Sequence, residues 1–346
     1  PLFTPPPPEN STMFRTFSLI LASCIVLATL TPAFTKDKPK AAKHPTTATT
    51  EIAAAGPDFE IQGEYVGTVG AGDKQVKIGV QVIARGDGKF HAVGYPGGLP
   101  GDGWDEKTRT EADGQIKDGA ITLIIDKNTI TIHDGVLTLN SVKGETLGTL
   151  KKVCRISPTL GEKPPAGAVV LFDGTSADAF MGGRVKDGLL LEGTTTKQKF
   201  QSYKIHLEFM IPFMPTARGQ GRGNSGYYAQ GRYETQILDS FGLASKIDDC
   251  AAIYGIKAPR INMCYPPLSW QTYDIDFTAA EYNSGKKVKN ARITVLHNGV
   301  EVQKNTEASH ATTASPVNEG PEPGPVYLQN HGNPVRFRNI WLVEKK

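Results

Sequence analysis

The chain has 346 residues, more than one ordinary domain holds and enough for two domains plus a leader. Hydrophobic residues make up 39% and charged residues 21%, a balance that supports a sizeable core and excludes a globally disordered chain. The formal net charge is only +3 and the basic residues are scattered, which gives no case for a nucleic-acid partner and its clustered basic face.

The opening PLFTPPPPENST has no globular character, and residues 1–12 are read as a spurious or non-native extension. Met13 then begins a segment with one Arg, an apolar run from Phe17 to Leu30 and small residues near Ala33. These features predict a secretory signal peptide over 13–33 and export to the periplasm or beyond the cell. The apolar run is shorter than the roughly 20 residues of a membrane span, so no transmembrane span is predicted in the mature chain. Leu21-Ala22-Ser23-Cys24 resembles a lipoprotein cleavage box, and a lipid anchor at Cys24 is the alternative. Ile25 to Leu30 continue the apolar run past it, which favours cleavage near Ala33. Residues 34–56, rich in Lys, Ala, Thr and Pro without periodicity, read as a flexible tether.

A first folded unit is predicted over 57–156. EIQGEYVGTV, KIGVQVIARG, KFHAVGYPG, AITLIID, TITIHDG and TLGTLKKVCRI alternate or are β-branched, and Gly and Asp-Gly turns break them up. This pattern predicts a small antiparallel β sandwich or barrel, in which GGLPGDGWD at 97–105 is the most unusual stretch. Residues 157–167 form a linker stiffened by Pro158, Pro164 and Pro165. A second unit over 168–346 offers eight or more short strands, with Asn298-Gly299 marking a hairpin. The fold class is therefore all-β, the second unit being a two-sheet jelly roll.

Export would place the cysteines in an oxidising compartment. Cys24 leaves with the leader, and Cys250 with Cys264 is the candidate disulfide, stabilising a short loop by about 3 kcal/mol. The alternative is a pair of buried thiols. GQGRGNSG at 219–226 lacks the Lys-Ser/Thr ending of a phosphate loop, and HEXXH, CxxC and a nucleophile elbow are missing. No organic cofactor is predicted.

Four segments of the second unit carry a resemblance in the right order: LFDGTSADAF, GNSGYYAQGRYETQILDSFG, DDCAAIYGIKAPRINMCYPPLSWQTYDIDF and VYLQNHGNPVRFRNIWL. Together they resemble the 3-keto-disaccharide hydrolase family, whose members are exported bacterial proteins with a concanavalin-like jelly roll. The closing motif departs from the family pattern, with Asn330 where relatives carry Asp before the His. The resemblance implies an oligosaccharide or glycoside substrate bearing a ketone at C3. The reaction it implies requires a base near C2, an electrophile or divalent metal ion on the C3 oxygen and a proton donor for the leaving group.

Period-2 alternation supplies candidates for these roles. Glu234 and Gln236 share one face of YETQILD, with Tyr233 and Ile237 on the other, and Tyr327, Gln329 and His331 share a face of VYLQNHG. Glu234 is the predicted base or metal ligand and His331 the proton shuttle or ligand. Asn224, Tyr254 and Gln329, with Gln236, are candidate partners of sugar hydroxyls, and Arg336 is a candidate to polarise the ketone. Asp239, at the strand's end, is a further candidate metal ligand. Each has a plainer reading: a solvated carboxylate at Glu234, turn formers at Asn224 and His331, a packed ring at Tyr254 and a surface pair at Arg336. Two other functions stay open, a non-catalytic carbohydrate-binding module and an envelope adhesion protein.

Overall fold

A computed structural model describes residues 48–70, 72–117, 120–125 and 128–346. The predicted extension, signal peptide and most of the tether lie outside the described residues. Eight antiparallel strands follow one another as β1 (Gly63–Val69), β2 (Val76–Gly86), β3 (Lys89–Pro96), β4 (Thr110–Lys117), β5 (Ala120–Ile125), β6 (Asn128–His133), β7 (Val136–Asn140) and β8 (Thr146–Val153). Each pairs with the next, and β8 returns to β1, so the first unit is a closed barrel. Closure leaves it no exposed sheet edge. The tight turns at Asp87-Gly88 and Asp134-Gly135 have positive φ at both positions, the geometry that matches the twist of paired strands.

Alternation fills this barrel. Val80, Val82 and Ala84, Phe90 and Ala92, Ile121 and Leu123, and Ile130 and Ile132 point into one core. The short helix α1 (Pro57–Ile61) packs on the same core, and Phe59 meets Phe213 of the second unit edge-on at 5.4 Å. Residues 48–56, the end of the stretch read as a tether, are ordered here. Thr49 pairs with Phe213, and Ala55 is fully buried in the barrel core.

The second unit opens with β9 (Val169–Phe172), β10 (Phe180–Met181), β11 (Val185–Lys186), β12 (Leu189–Leu191), β13 (Thr194–Phe200) and β14 (Tyr203–Met210). It continues with β15 (Ser225–Ala229), β16 (Tyr233–Ile237), β17 (Trp270–Thr278), β18 (Glu281–Asn283) and β19 (Lys286–Lys289). It closes with β20 (Ala291–His297), β21 (Val300–Ala308), β22 (Gly324–Leu328) and β23 (Arg336–Glu344). The larger sheet runs β11-β12-β23-β14-β17-β20-β21, with β9 also on β23, and the smaller runs β10-β13-β22-β15-β16. Neighbours distant in sequence, such as β13 with β22, are the crossovers of a jelly roll. Tyr203 of the larger sheet and Tyr227 of the smaller share a hydrogen bond of 2.8 Å across the core.

The two units are packed together. Ile83, Val93 and Tyr95, on the outward faces of β2 and β3, belong to the jelly-roll core cluster. Arg155 pairs with Glu64 at 2.5 Å, donates to the Pro100 carbonyl and lies 4.9 Å from the Tyr265 ring centre. The 157–167 segment lies along the outer face of the larger sheet: Thr159 donates to Asp274 at 2.7 Å, and the Gly161 N–H donates to Glu208 at 2.6 Å.

Candidate functional site

Strands β15 and β16 form a hairpin whose turn, Gln230-Gly231, takes positive φ at both residues. Their alternation sends Tyr227, Ala229, Tyr233 and Ile237 into the core. Gly226, Tyr228, Glu234 and Gln236 therefore stand on the outer face, as the sequence pattern predicts for Glu234 and Gln236. On β22, Val326 and Leu328 are core residues, so Tyr327 and then Gln329 join that outer face. Tyr227 lies opposite Thr235, and Tyr228 lies opposite both Glu234 and Tyr327 in register.

Loops cover this face. Ala251–Tyr254 runs beside β16, with Tyr254 N–H donating to the Glu234 carbonyl at 3.1 Å. The Glu234 N–H donates to Thr312 Oγ1 at 2.9 Å, and the Tyr228 hydroxyl to the Thr313 carbonyl at 3.3 Å. Glu234 is left only 3% exposed. Burial pushes its carboxyl up to about 8, opposed by the neighbouring Tyr228 hydroxyl. The carboxyl thus changes charge near neutral pH, where an acid or base is most useful. Tyr254 is half-buried at the rim, its phenol pushed up by burial and then by the charges of Glu234 and Asp248.

The amides form two hydrogen-bonded sets. Gln236 Nε2 donates to Gln220 Oε1 at 3.0 Å, and Asn224 Nδ2 donates to the same oxygen at 2.9 Å. Gln329 Nε2 donates to the Tyr228 hydroxyl at 2.9 Å. Asn224 Oδ1 and Gln329 Oε1 are buried with no hydrogen-bond partner. Two such acceptors beside a carboxyl suit a ligand rich in hydroxyl donors. The structure thus brings Glu234, Gln236, Gln329, Asn224 and Tyr254 together. Tyr228 and Gln220 were not singled out from sequence. Tyr228 could have been found, because it stands two residues from Gly226 in the same alternation. Gln220 lies in a single 3-10 turn, Gly219–Gly221, too short to show a periodicity.

Three other candidates stand elsewhere or are otherwise engaged. His331 is exposed and lies three residues beyond the end of β22, because the strand stops at Leu328 and alternation stops with it. There Asn330 Oδ1 accepts the Gly332 N–H at 2.8 Å, a turn contact. Arg336 belongs to the larger sheet and pairs with Glu192 at 3.3 Å. Asp239 is buried and accepts from Arg222 Nε at 2.5 Å, so its charge is already met by a guanidinium. Cys250 and Cys264 are free buried thiols in contact with each other, not the disulfide considered above. Burial pushes the Cys264 thiol well up.

A second polar cluster occupies the outer face of the larger sheet. Ligand atoms of Glu162, His206 and Asp274 lie within 4.8 Å of one another, the spacing of a metal site. His206 Nδ1 is 2.6 Å from Asp274, and its Nε2 is 3.6 Å from Glu208. Burial pulls the imidazole pKa down, but Asp274 and Glu208 outweigh it and hold the ring at about 9. A protonated ring has no lone pair to offer, so a cation binds here only by displacing that proton. Trp341 stacks on the ring at 5.2 Å, and Arg338 pairs with Glu208 at 2.6 Å.

The family model described as a 3-keto-alpha-glucoside-1,2-lyase-like domain matches residues 167–343. Three solved structures of candidate glycosyl hydrolases from Parabacteroides distasonis are similar to the chain. The first is 33% identical, covers 52% of this chain and 85% of its own, and has a TM-score of 0.48. The second is 19% identical over 52% and 94% with a TM-score of 0.38, and the third 22% identical over 51% and 99% with 0.38. No curated protein matches the chain.

Proposed function

The chain belongs to the 3-keto-alpha-glucoside-1,2-lyase-like family, a family of carbohydrate-active domains, and from that premise we propose that it cleaves 3-keto glycosides with Glu234 as the base. A C3 ketone makes the C2 hydrogen acidic. Glu234, as carboxylate, takes that hydrogen as a proton. The C2–H electron pair forms the C1–C2 double bond, the C1–O bond breaks, and its pair leaves on the glycosidic oxygen, which takes a proton. Water then adds its hydroxyl to C1 and a hydrogen to C2, giving the free 3-keto sugar. In this proposal the Tyr254 hydroxyl, read from sequence as a partner of sugar hydroxyls, donates to the leaving oxygen or the ketone, and His331 is the further proton donor read from sequence. The unpartnered Asn224 Oδ1 and Gln329 Oε1 accept from sugar hydroxyls. The His206 cluster stands on the other sheet, so a metal held there would have a structural role.

The observation that supports this reading best is the buried Glu234 carboxyl, pushed to about 8 within a ring of amides and phenols. As a base it works in its ionised form, so kcat/KM is expected to rise with pH to a plateau above about 8. The test uses a 3-keto disaccharide and its unoxidised parent. Release of 3-keto monosaccharide from the oxidised sugar alone, reduced about 10²–10⁴-fold in Glu234→Gln, supports the proposal. An E234Q variant as active as the wild type sinks the role of Glu234. Saturable binding without turnover would leave a carbohydrate-binding module. Export, read from residues 13–33, is part of the same proposal and is checked by fractionating cells that express the full chain.

A further inference from the structure

A cleft of about 700 Å³ opens where the end of β2 and strands β3, β4 and β5 of the barrel meet the loop that carries Arg218. That volume is in the range of small-molecule sites. Its wall carries Arg85, Lys89, His91, Asp113, Ile124 and Arg218. One acid shares the wall: Asp113, its side chain 84% exposed, lies 2.8 Å from His91 Nδ1, and Glu111 lies 3.3 Å from the other ring nitrogen. Among the described residues Arg85, Lys89 and Arg218 take part in no ion pair, unlike Arg222 close by, which has Asp239.

Arg218 is held in place without being neutralised. Its Nη1 donates to the Pro215 and Ala217 carbonyls at 2.6 and 2.7 Å, and its Nη2 donates to the Arg85 carbonyl at 2.7 Å. Carbonyls orient a guanidinium but bring no negative charge. Partial burial, then the charges of Arg222 and Arg85, push its pKa down, the mark of a cation crowded by cations. Arg85 Nε is buried without a hydrogen-bond partner. Ile124, 67% exposed, adds an apolar surface to the same wall. A guanidinium held in orientation at Arg218 and a second at Arg85, neither in an ion pair among the described residues, beside apolar surface suit an anion carried on a larger organic body. Two residues beyond Arg218, Gln220 accepts from Gln236 on the Glu234 face, so one loop borders both places.

We propose that this cleft binds a negatively charged saccharide, its carboxylate or sulfate group held between Arg85 and Arg218. The anion follows from the charges of the cleft, and the saccharide rests on the carbohydrate reading above. The test is titration calorimetry of the whole protein with trigalacturonate and with neutral maltotriose. Trigalacturonate is expected to bind saturably, more weakly as salt rises, and maltotriose not to bind. Arg218→Gln, at an exposed position, is expected to weaken trigalacturonate about tenfold or more at an unchanged thermal midpoint, and Arg85→Gln likewise. Glu234→Gln leaves this binding unchanged. Equal affinity for maltotriose, no saturable binding of trigalacturonate, or affinity untouched by Arg218→Gln would each overturn the proposal. Binding without turnover of a 3-keto sugar refutes the catalytic reading alone, and turnover without trigalacturonate binding refutes the cleft alone.

Discussion

Gly226 decides whether Glu234 can occupy its place. The two residues stand on the same outer face of neighbouring strands, and Gly226 lies opposite Gln236 in register. A Cβ at 226 would overlap Glu234 Oε1 and crowd the Tyr228 ring. Both strands are fixed by their ladder, whereas the end of a glutamate side chain is free to swing. The carboxylate therefore moves and the backbone stays. Gly226→Ala is expected to keep the fold with a loss of about 1–3 kcal/mol, and to lower kcat about 10²-fold through misplacement of the base. Thermal unfolding and turnover of the 3-keto disaccharide, measured on the same preparation, separate the two effects. A folded G226A protein with unchanged kcat would mean that the position of Glu234 does not matter to the chemistry.

At the scale of elements, the loop between β14 and β15 carries the joint between jelly roll and barrel. Arg222 pairs with Asp239 at 2.5 Å and donates to the Ala84 carbonyl of β2 at 3.1 Å, all of it buried. Removing one partner strands the other charge away from water, so Asp239→Asn or Arg222→Ala is expected to cost about 3–5 kcal/mol. The double variant should cost less than the sum, because neither charge is then left alone. Urea unfolding checks this, and single-variant losses under about 1 kcal/mol would show that the pair is solvated. Asp239 also shows where sequence reading stops. Period-2 alternation identified the outer faces of β16 and β22, because side-chain direction within a strand is set by the backbone alone. His331 lies beyond the end of β22, where alternation no longer fixes a face, and alternation did not place Arg336 on the larger sheet, since a strand's sequence does not say which sheet it joins. The all-β class, the turn-bounded strands and the family likeness were legible for the same local reason. Barrel closure was not, because the pairing of β1 with β8 joins segments some 90 residues apart, as Glu64 with Val153. Nor was the Arg218 cleft, whose wall is gathered from four strands and a loop.

Across the whole molecule, buried groups pull the pH dependence of stability in opposite directions. One of them, Asp249, is raised by burial from 3.8 to about 6, so its contribution is full below 3.8 and lost as pH rises through 6. The Glu234 carboxyl is raised from 4.5 to about 8, so the stability it contributes is full below 4.5 and lost as pH rises through 8. His206 is raised from 6.5 to about 9, and its contribution is full below 6.5 and lost through 9. The other two are depressed. Burial pulls His297 from 6.5 down to about 3, so its contribution is full above 6.5 and lost as pH falls towards 3. Glu208 is held at about 2, well under 4.5: burial works against this, and hydrogen bonds from His206, Asn339, Arg338 and the Gly161 N–H prevail. Its contribution is full above 4.5 and lost through 2. Stability should therefore rise with pH to a maximum at about 4.5 and fall most steeply between about 6.5 and 8, where Glu234 and His206 both lose their contribution. The alkaline limb has two separable parts. Glu234→Gln, which has no charge to bury, should flatten the fall between about 5 and 8 and leave the acid limb as it was. His206→Gln should flatten the fall between about 6.5 and 9 while lowering stability at pH 6, since Asp274 and Glu208 lose their cation. Urea midpoints across pH 3 to 10 measure all three proteins. If the wild type and E234Q fall in parallel above pH 5, Glu234 ionises freely in the folded protein, and the case for it as a base tuned by burial falls with it.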